Sequence, residues 1–248
     1  MIRNIRLLIS YDGTDFAGWQ VQKEDRSVQG VLEEALADLH AHPVSIIGAG
    51  RTDSGVHAAG QVGNFRTDMD GIPEEKFREA LNARLPRDVR ILRSERVPDG
   101  FHARRDATNR RYEYRILEGA SEPAHMARYV WRVRKLPPIA VLNRMAGTIC
   151  GTRDFTTFAA AGDASASRVR RIEHAVFLSD GPLVVFRISG NAFLWRMVRS
   201  LVGTLVDLGL RGGDEGDMRG ILDARDREAA GPTAPPRGLF LTKVSYGP

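Results

Sequence analysis

Hydrophobic positions in this chain change period repeatedly, and the changes mark out its elements. Arg3 to Tyr11 alternates toward one apolar face, as a half-buried strand does. After a polar loop from Asp12 to Arg26, with Phe16 and Trp19 as its hydrophobic exceptions, Val28, Val31, Leu32, Ala35, Leu36 and Leu39 fall on one stripe at helical spacing, and Ser27 stands where an N-cap belongs. A short apolar run, Val44 to Ile47, predicts a strand, and Ala58 to Phe65 another. A helix is expected between Pro73 and Pro86 with Phe77, Ala80, Leu81 and Leu85 inward, then a strand over Val89 to Val97.

The second half repeats this order loosely, without visible sequence identity. Arg111 to Leu117 predicts a strand, and Ile139 to Cys150 a helix with Leu142, Met145, Ala146 and Ile149 on its stripe. Val169 to Leu178 and Leu183 to Ser189 predict a hairpin turning at Asp180-Gly181. Phe193 to Leu208, ended by Gly209, is the longest apolar helix, and Leu239 to Tyr246 is a closing strand. The expectation is an α+β chain with antiparallel sheets, built as two split β-α-β units over 1–105 and 106–248. Thr157 to Ser167 and the proline-rich Arg225 to Arg237 read as weakly structured, the second as an ordered excursion or a mobile loop.

Composition narrows the function. Over 248 residues the 36 basic side chains exceed the 31 acidic ones, a net charge of +5 that favours an anionic partner, nucleic acid first. The single cysteine, Cys150, permits no internal disulfide. No apolar run approaches the roughly 20 residues of a membrane span, and the start is too short and too quickly polar for a signal peptide, so the cytoplasm is expected. The G-x-x-x-x-G-K phosphate loop is absent, the six histidines show no paired metal-binding spacing, and neither metal nor cofactor is expected.

Three groups of residues carry candidate chemistry. Gly48 to Ala58, G-A-G-R-T-D-S-G-V-H-A, presents Arg51, Thr52, Asp53 and His57 on a glycine-rich loop between two predicted strands. A turn in which Asp53 merely accepts backbone N–H bonds is the plain alternative. Arg196 and Arg199 interrupt an apolar helix; an arginine near a core wants a carboxylate, unless it snorkels or closes a helix end. Arg104 to Arg115 holds five arginines against two acids, interleaved with Tyr112 and Tyr114 on the opposite strand face from Arg111 and Arg115. Arginine beside aromatic suits a surface that holds phosphates while a ring stacks on a base, though an ordinary strand with buried tyrosines fits too. Arg168, Arg170 and Arg171 form a smaller basic patch, and Arg128, Arg132, Arg134 and Lys135 another.

Read together, these motifs resemble the tRNA pseudouridine synthases that modify uridines thirty-eight to forty of the anticodon arm. The matching segments are Tyr11 to Gln22 (Y-D-G-T-D-F-A-G-W-Q-V-Q), Gly50 to His57 with Gln61-Val62, and Phe101 to Arg104 with Arg110, Arg111, Tyr112 and Tyr114. They continue through Asp154-Phe155 with Phe158, Phe193-Leu194 with Met197-Val198-Arg199 and Gly203, and Gly238-Leu239 through Tyr246. The resemblance implies isomerisation of uridine to pseudouridine without cofactor or metal, in a cleft between two similar halves with adjoining sheets. It makes Asp53 the catalytic carboxylate, with Arg51 and Arg199 keeping it ionised and oriented. Tyr112 would stack on the target base, and Leu239 would line the apolar wall. Arg104, Arg110, Arg111, Arg168 and Arg170 would bind the RNA. The family's members are homodimers, which implies one tRNA, anticodon stem-loop and body, spanning both subunits. Phe16 and Trp19 are then core or cleft residues. Two departures, Arg153 where the family has histidine and Arg105 where it has an aromatic, add charge and put local RNA contacts in question, while the catalytic positions match. A non-catalytic RNA-binding module is the alternative function, with Asp53 structural.

Overall fold

Antiparallel pairing organises most of the chain. A computed structural model describes residues 2–247, which form two units: 2–108 with 241–247, and Asn109–Phe240. In the first unit β1 (Arg3–Tyr11) lies between β3 (His57–Thr67) and β4 (Val89–Val97), antiparallel to both, with Ile5 opposite Phe65 and Arg96. The two-residue β2 (Ile47–Gly48) pairs with β3 at Asn64 and Gly63, and β10 (Leu239–Tyr246) neighbours β3 through the part that belongs to this unit. The alternation of β1 sends Ile5, Leu7 and Ile9 into a core with Phe65, Phe77 and Leu81. Over it lies α1 (Val28–His40), whose first turn is capped by Ser27 Oγ accepting from the Gly30 amide at 3.1 Å. Its buried face runs through Val28, Leu32, Leu36 and His40, with Val31 and Leu39 half-buried beside it. The helix expected after Pro73 starts as a 3₁₀ turn and continues as the short α2 (Phe77–Asn82).

The second unit orders its sheet β5-β9-β8-β7, from β5 (Ala107–Glu118), β7 (Gly151–Asp154), β8 (Val169–Asp180) and β9 (Leu183–Gly190), all antiparallel. A short β6 (Trp131–Val133) adds a parallel ladder, Ile116 opposite Trp131. The β8–β9 hairpin turns where expected, with Asp180 opposite Leu183 and Gly181 at φ 55°. Against β8 packs α3 (Ile139–Gly147), with Leu142, Met145 and Ala146 fully buried and Ile149 buried just past the helix end, which stops short of the expected Cys150; α4 (Met197–Leu210) packs on α3.

Two expectations change here. Instead of opening at Phe193, α4 begins at Met197, because Arg196 adopts the left-handed conformation at φ 61° and no side chain caps the helix. Gly209 does not end it; a Cβ there would stand 2.7 Å from Pro137, so this glycine serves close packing. Of the two readings of 225–237, the ordered excursion fits: it lies on α4, where the Gly231 amide donates to Thr204 Oγ1 at 3.0 Å and a Cβ on Gly203 would collide with the Pro232 carbonyl. A further helix, α5 (Glu215–Asp223), is started by a capping box between Asp214 and Asp217. Among the described residues no helix is long and apolar enough to cross a membrane.

Candidate active site

The Asp53 loop is held by the chain's first motif. The Trp19 amide donates to the Thr52 carbonyl at 3.0 Å, the Gly55 amide to the Phe16 carbonyl at 3.2 Å, and Gly18 bridges to Asp53 as an isolated antiparallel pair. The Tyr11 hydroxyl meets the Thr52 hydroxyl at 2.8 Å, and Gln61 Nε2 donates to the Gly50 carbonyl at 2.8 Å. Glycine is required where these segments touch. At Gly18 the backbone has φ 113° and a Cβ would lie 2.7 Å from the Thr52 oxygen; at Gly13 it would lie 2.0 Å from the Val56 oxygen. Behind the loop, buried His57 turns Nδ1 to the Gly13 amide and to Asp12, both at 3.1 Å. Phe16 and Trp19 are core residues at 2% and 3% exposure, which rules them out as open base platforms. Asp53 itself is half-buried and Arg51 is exposed.

The third motif begins in the same unit. Asn64, buried on β3, accepts from the Ala103 amide at 2.9 Å and donates to Asn4 at 2.9 Å; Asn4 in turn donates to the Pro98 and Phe101 carbonyls. The Tyr246 hydroxyl donates to the Ala103 carbonyl at 2.7 Å. This network fixes 98–103 against the sheet, and Arg104 follows it on the surface.

In the second unit, β5 divides its side chains as alternation demands. Arg110, Tyr112 and Tyr114 face inward, while Arg111 is exposed. Tyr112 is 8% exposed and meets Phe193 edge-on at 5.1 Å. Tyr114 is fully buried and donates to the Pro235 carbonyl at 2.6 Å; burial drives its pKa far up, against the opposing pull of Arg199 and Arg237, so it stays a neutral donor. Arg110, expected to hold phosphate, is buried and donates to the Asn191 carbonyl at 2.7 Å. Its parity with Tyr112 already carried that signal. Arg199, on the first turn of α4, is joined to Ala234 twice: Nε donates to the Ala234 carbonyl at 2.9 Å, and the Ala234 amide donates back to the Arg199 carbonyl at 3.1 Å. Leu239, next to the Pro236–Gly238 turn, is 5% exposed.

Arg168 is engaged with Asp163, at 2.5 Å to the carboxylate and 2.7 Å to the carbonyl. Arg170 donates to the Ser167 and Val169 carbonyls, and burial lowers its pKa, which the neighbouring Arg168 lowers further against the pull of Asp163. Arg153 lies directly across the β7–β8 ladder from Arg170, so the two project from one face. Cross-strand arginines repel each other, and an anion between them would relieve the repulsion. The stretch 157–167, expected to be weakly structured, is instead tied down by Asp163, whose carboxylate accepts from the Ser165 amide at 2.8 Å and from the Trp195 amide.

Residues 7–106 and 145–247 match a family model described as tRNA pseudouridine synthase. A protein of Treponema denticola named tRNA pseudouridine synthase A is 48% identical over 249 residues, covering 98% of this chain and 93% of its own length. Proteins of the same name from a Thermoanaerobacter species and from Brachyspira hyodysenteriae are 40% and 39% identical, each over 99% of this chain and 100% and 99% of their own lengths.

Proposed function

The chain belongs to the tRNA pseudouridine synthase family, and we propose that it isomerises uridines thirty-eight to forty of the tRNA anticodon arm, with Asp53 as its catalytic carboxylate. In this reaction the bond from the ribose C1′ to uracil N1 breaks and C1′ joins C5 of the same ring. C5 gives up its proton and N1 gains one. A carboxylate serves by bonding to, or stabilising, the positive character that develops at C1′. A second catalytic carboxylate, as in glycoside hydrolysis, is unnecessary because the uracil is retained and re-attached.

The observation that carries the assignment is how the Asp53 loop is held. Its anchors include Thr52, Gly55, Gly50 and the backbone of the first motif, which together fix where Asp53 stands. Arg51 and Arg199 are assigned to keep that carboxylate ionised, Tyr112 to stack on the target base, and Leu239 to give the apolar wall. Exposed Arg104 and Arg111 suit phosphates, and Arg168 and Arg170 are assigned the same role; buried Arg110 suits holding the Asn191 turn instead. Each unit is taken as one split β-α-β half. The working form is taken as a cytoplasmic homodimer whose subunits share one tRNA.

The test is Asp53→Asn with unmodified tRNA, no added metal or nucleotide, and pseudouridine mapping across the anticodon arm. Rate is expected to fall by roughly three orders of magnitude or more, with melting temperature and tRNA affinity preserved. Substantial turnover by this variant overturns the catalytic assignment. Wild-type protein that binds several tRNAs and modifies none favours the binding-module reading.

A further inference from the structure

Trp195 stands at 44% exposure, the one aromatic side chain among the large hydrophobic residues exposed in the described chain. It is nevertheless rigidly placed. Its amide donates to Asp163 Oδ2, and its carbonyl accepts from the Ala160 amide at 3.0 Å. The indole edge lies so close to Gly162 that a Cβ there would stand 2.9 Å from Cζ3. Asp163 is fixed in turn by Arg168 and the Ser165 amide. A loop of small residues thus forms a bracket around one indole.

Arg196 completes the arrangement. Its guanidinium lies over the indole with Cζ 4.8 Å from the ring centroid. Its backbone is left-handed at φ 61°, a conformation that costs an L side chain and suits glycine or asparagine. The side chain makes no cap bond to α4. Exposed cation–π pairs add little to folding stability, and an indole left in water forgoes the gain of burial. Neither packing nor capping therefore accounts for a strained arginine stacked on an exposed tryptophan.

We infer that Trp195 and Arg196 form a stacking platform for an unpaired nucleobase of the RNA substrate. The guanidinium plane offers a flat, cationic surface on which a base stacks, backed by the indole, and every base has a π-face to offer. Arg168, Arg170 and Arg153 outnumber the neighbouring Asp163 and Asp154 carboxylates, and this positive balance attracts the flanking phosphates. A paired stem base has both faces covered by its neighbours, so the occupant is a loop base. This inference rests on the reading of tRNA as substrate.

The test uses the full chain and an unmodified anticodon stem-loop RNA. Trp195→Ala is expected to weaken binding about tenfold and to raise KM more than it lowers kcat, whereas Trp195→Phe, keeping a ring, stays within about threefold of wild type. The salt slope of binding is expected to be unchanged in both, since no phosphate contact is removed. RNA should quench the tryptophan emission of wild type, and Trp195→Phe, which leaves buried Trp19 and half-buried Trp131, should lose most of that quench. Wild-type affinity in Trp195→Ala, a shallower salt slope, or full quenching in Trp195→Phe each overturns the platform. If Trp195→Ala melts early, the quench in Trp195→Phe decides. Quenching and base-dependent affinity without any pseudouridine product would uphold the platform and sink the catalytic reading instead.

Discussion

Two loops of this chain look alike as sequence and show different anchors. Gly48 to Ala58 and Thr157 to Ser167 are both runs of glycine and small polar residues around one aspartate. In the first, the named anchors are backbone groups, the Thr52 hydroxyl and the Gln61 amide. In the second, the aspartate is the anchor: the Asp163 carboxylate takes the Ser165 and Trp195 amides and the Arg168 guanidinium. A carboxylate that holds its own loop is committed to structure. One whose loop is also fixed by backbone clamps and neighbouring side chains keeps its place while it takes part in chemistry.

The comparison breaks most severely at Gly13. A methyl group there would lie 2.0 Å from the Val56 oxygen and 2.5 Å from its carbon, backbone against backbone, so no flexible side chain can yield. Gly13→Ala is expected to cost about 3 kcal/mol of stability, at the upper end for overpacking, and to displace the Asp53 loop. Chemical denaturation gives the first quantity, and kcat with saturating tRNA the second. A variant as stable and active as wild type would mean the loop does not depend on this contact.

Asp163→Asn sharpens the contrast from the other side. It removes a charged acceptor from three bonds and is expected to cost about 2 kcal/mol near neutral pH. Burial alone would raise this carboxyl's pKa, but the Trp195 and Ser165 amides, with Arg168, more than reverse that, and it lies below the ordinary carboxylate range. A depressed folded pKa contributes stability that is present above the unfolded value, about pH 4, and lost as pH falls through the folded one. The stability gap between wild type and Asp163→Asn should therefore hold from pH 7 to 5 and close below about pH 4. A gap that persists to pH 2 would contradict the ionised bracket.

Much of the scaffold was legible because period and parity are local properties. Arg3–Tyr11, Val89–Val97 and Leu239–Tyr246 are strands with the bounds their alternation implies. What escaped was set by contacts distant in sequence or by backbone angles. The late start of α4 follows from the left-handed Arg196, inside an apolar run that reads as uninterrupted helix. Gly13 and Gly18 are visible as glycines, yet the reason for them, the Asp53 loop some forty residues on, is visible only in three dimensions. Asp163 resembles any polar loop residue until the Trp195 amide is placed beside it. The short α5 lacks the usual Glu or Gln in its capping box, where Asp217 takes that role.

The smallest expected effect tests the finest joint between scaffold and site. Tyr11 ends β1, and its hydroxyl meets the Thr52 hydroxyl at 2.8 Å in the buried interior, one residue before Asp53. Tyr11→Phe keeps the ring and its packing near Trp19, 6.2 Å away between centroids, and removes that contact. The net loss should be about 1 kcal/mol, the usual worth of a hydrogen bond between neutral groups. The two backbone clamps, Trp19 to Thr52 and Gly55 to Phe16, remain. Asp53 should consequently move little, and kcat should fall only a few-fold, far less than in Asp53→Asn. If Tyr11→Phe instead loses activity on the scale of the aspartate variant while melting near the wild-type temperature, the hydroxyl acts in the reaction and not in the scaffold. The division between the groups that anchor the loop and the groups that act on the uridine would then have to be redrawn to place Tyr11 on the chemical side.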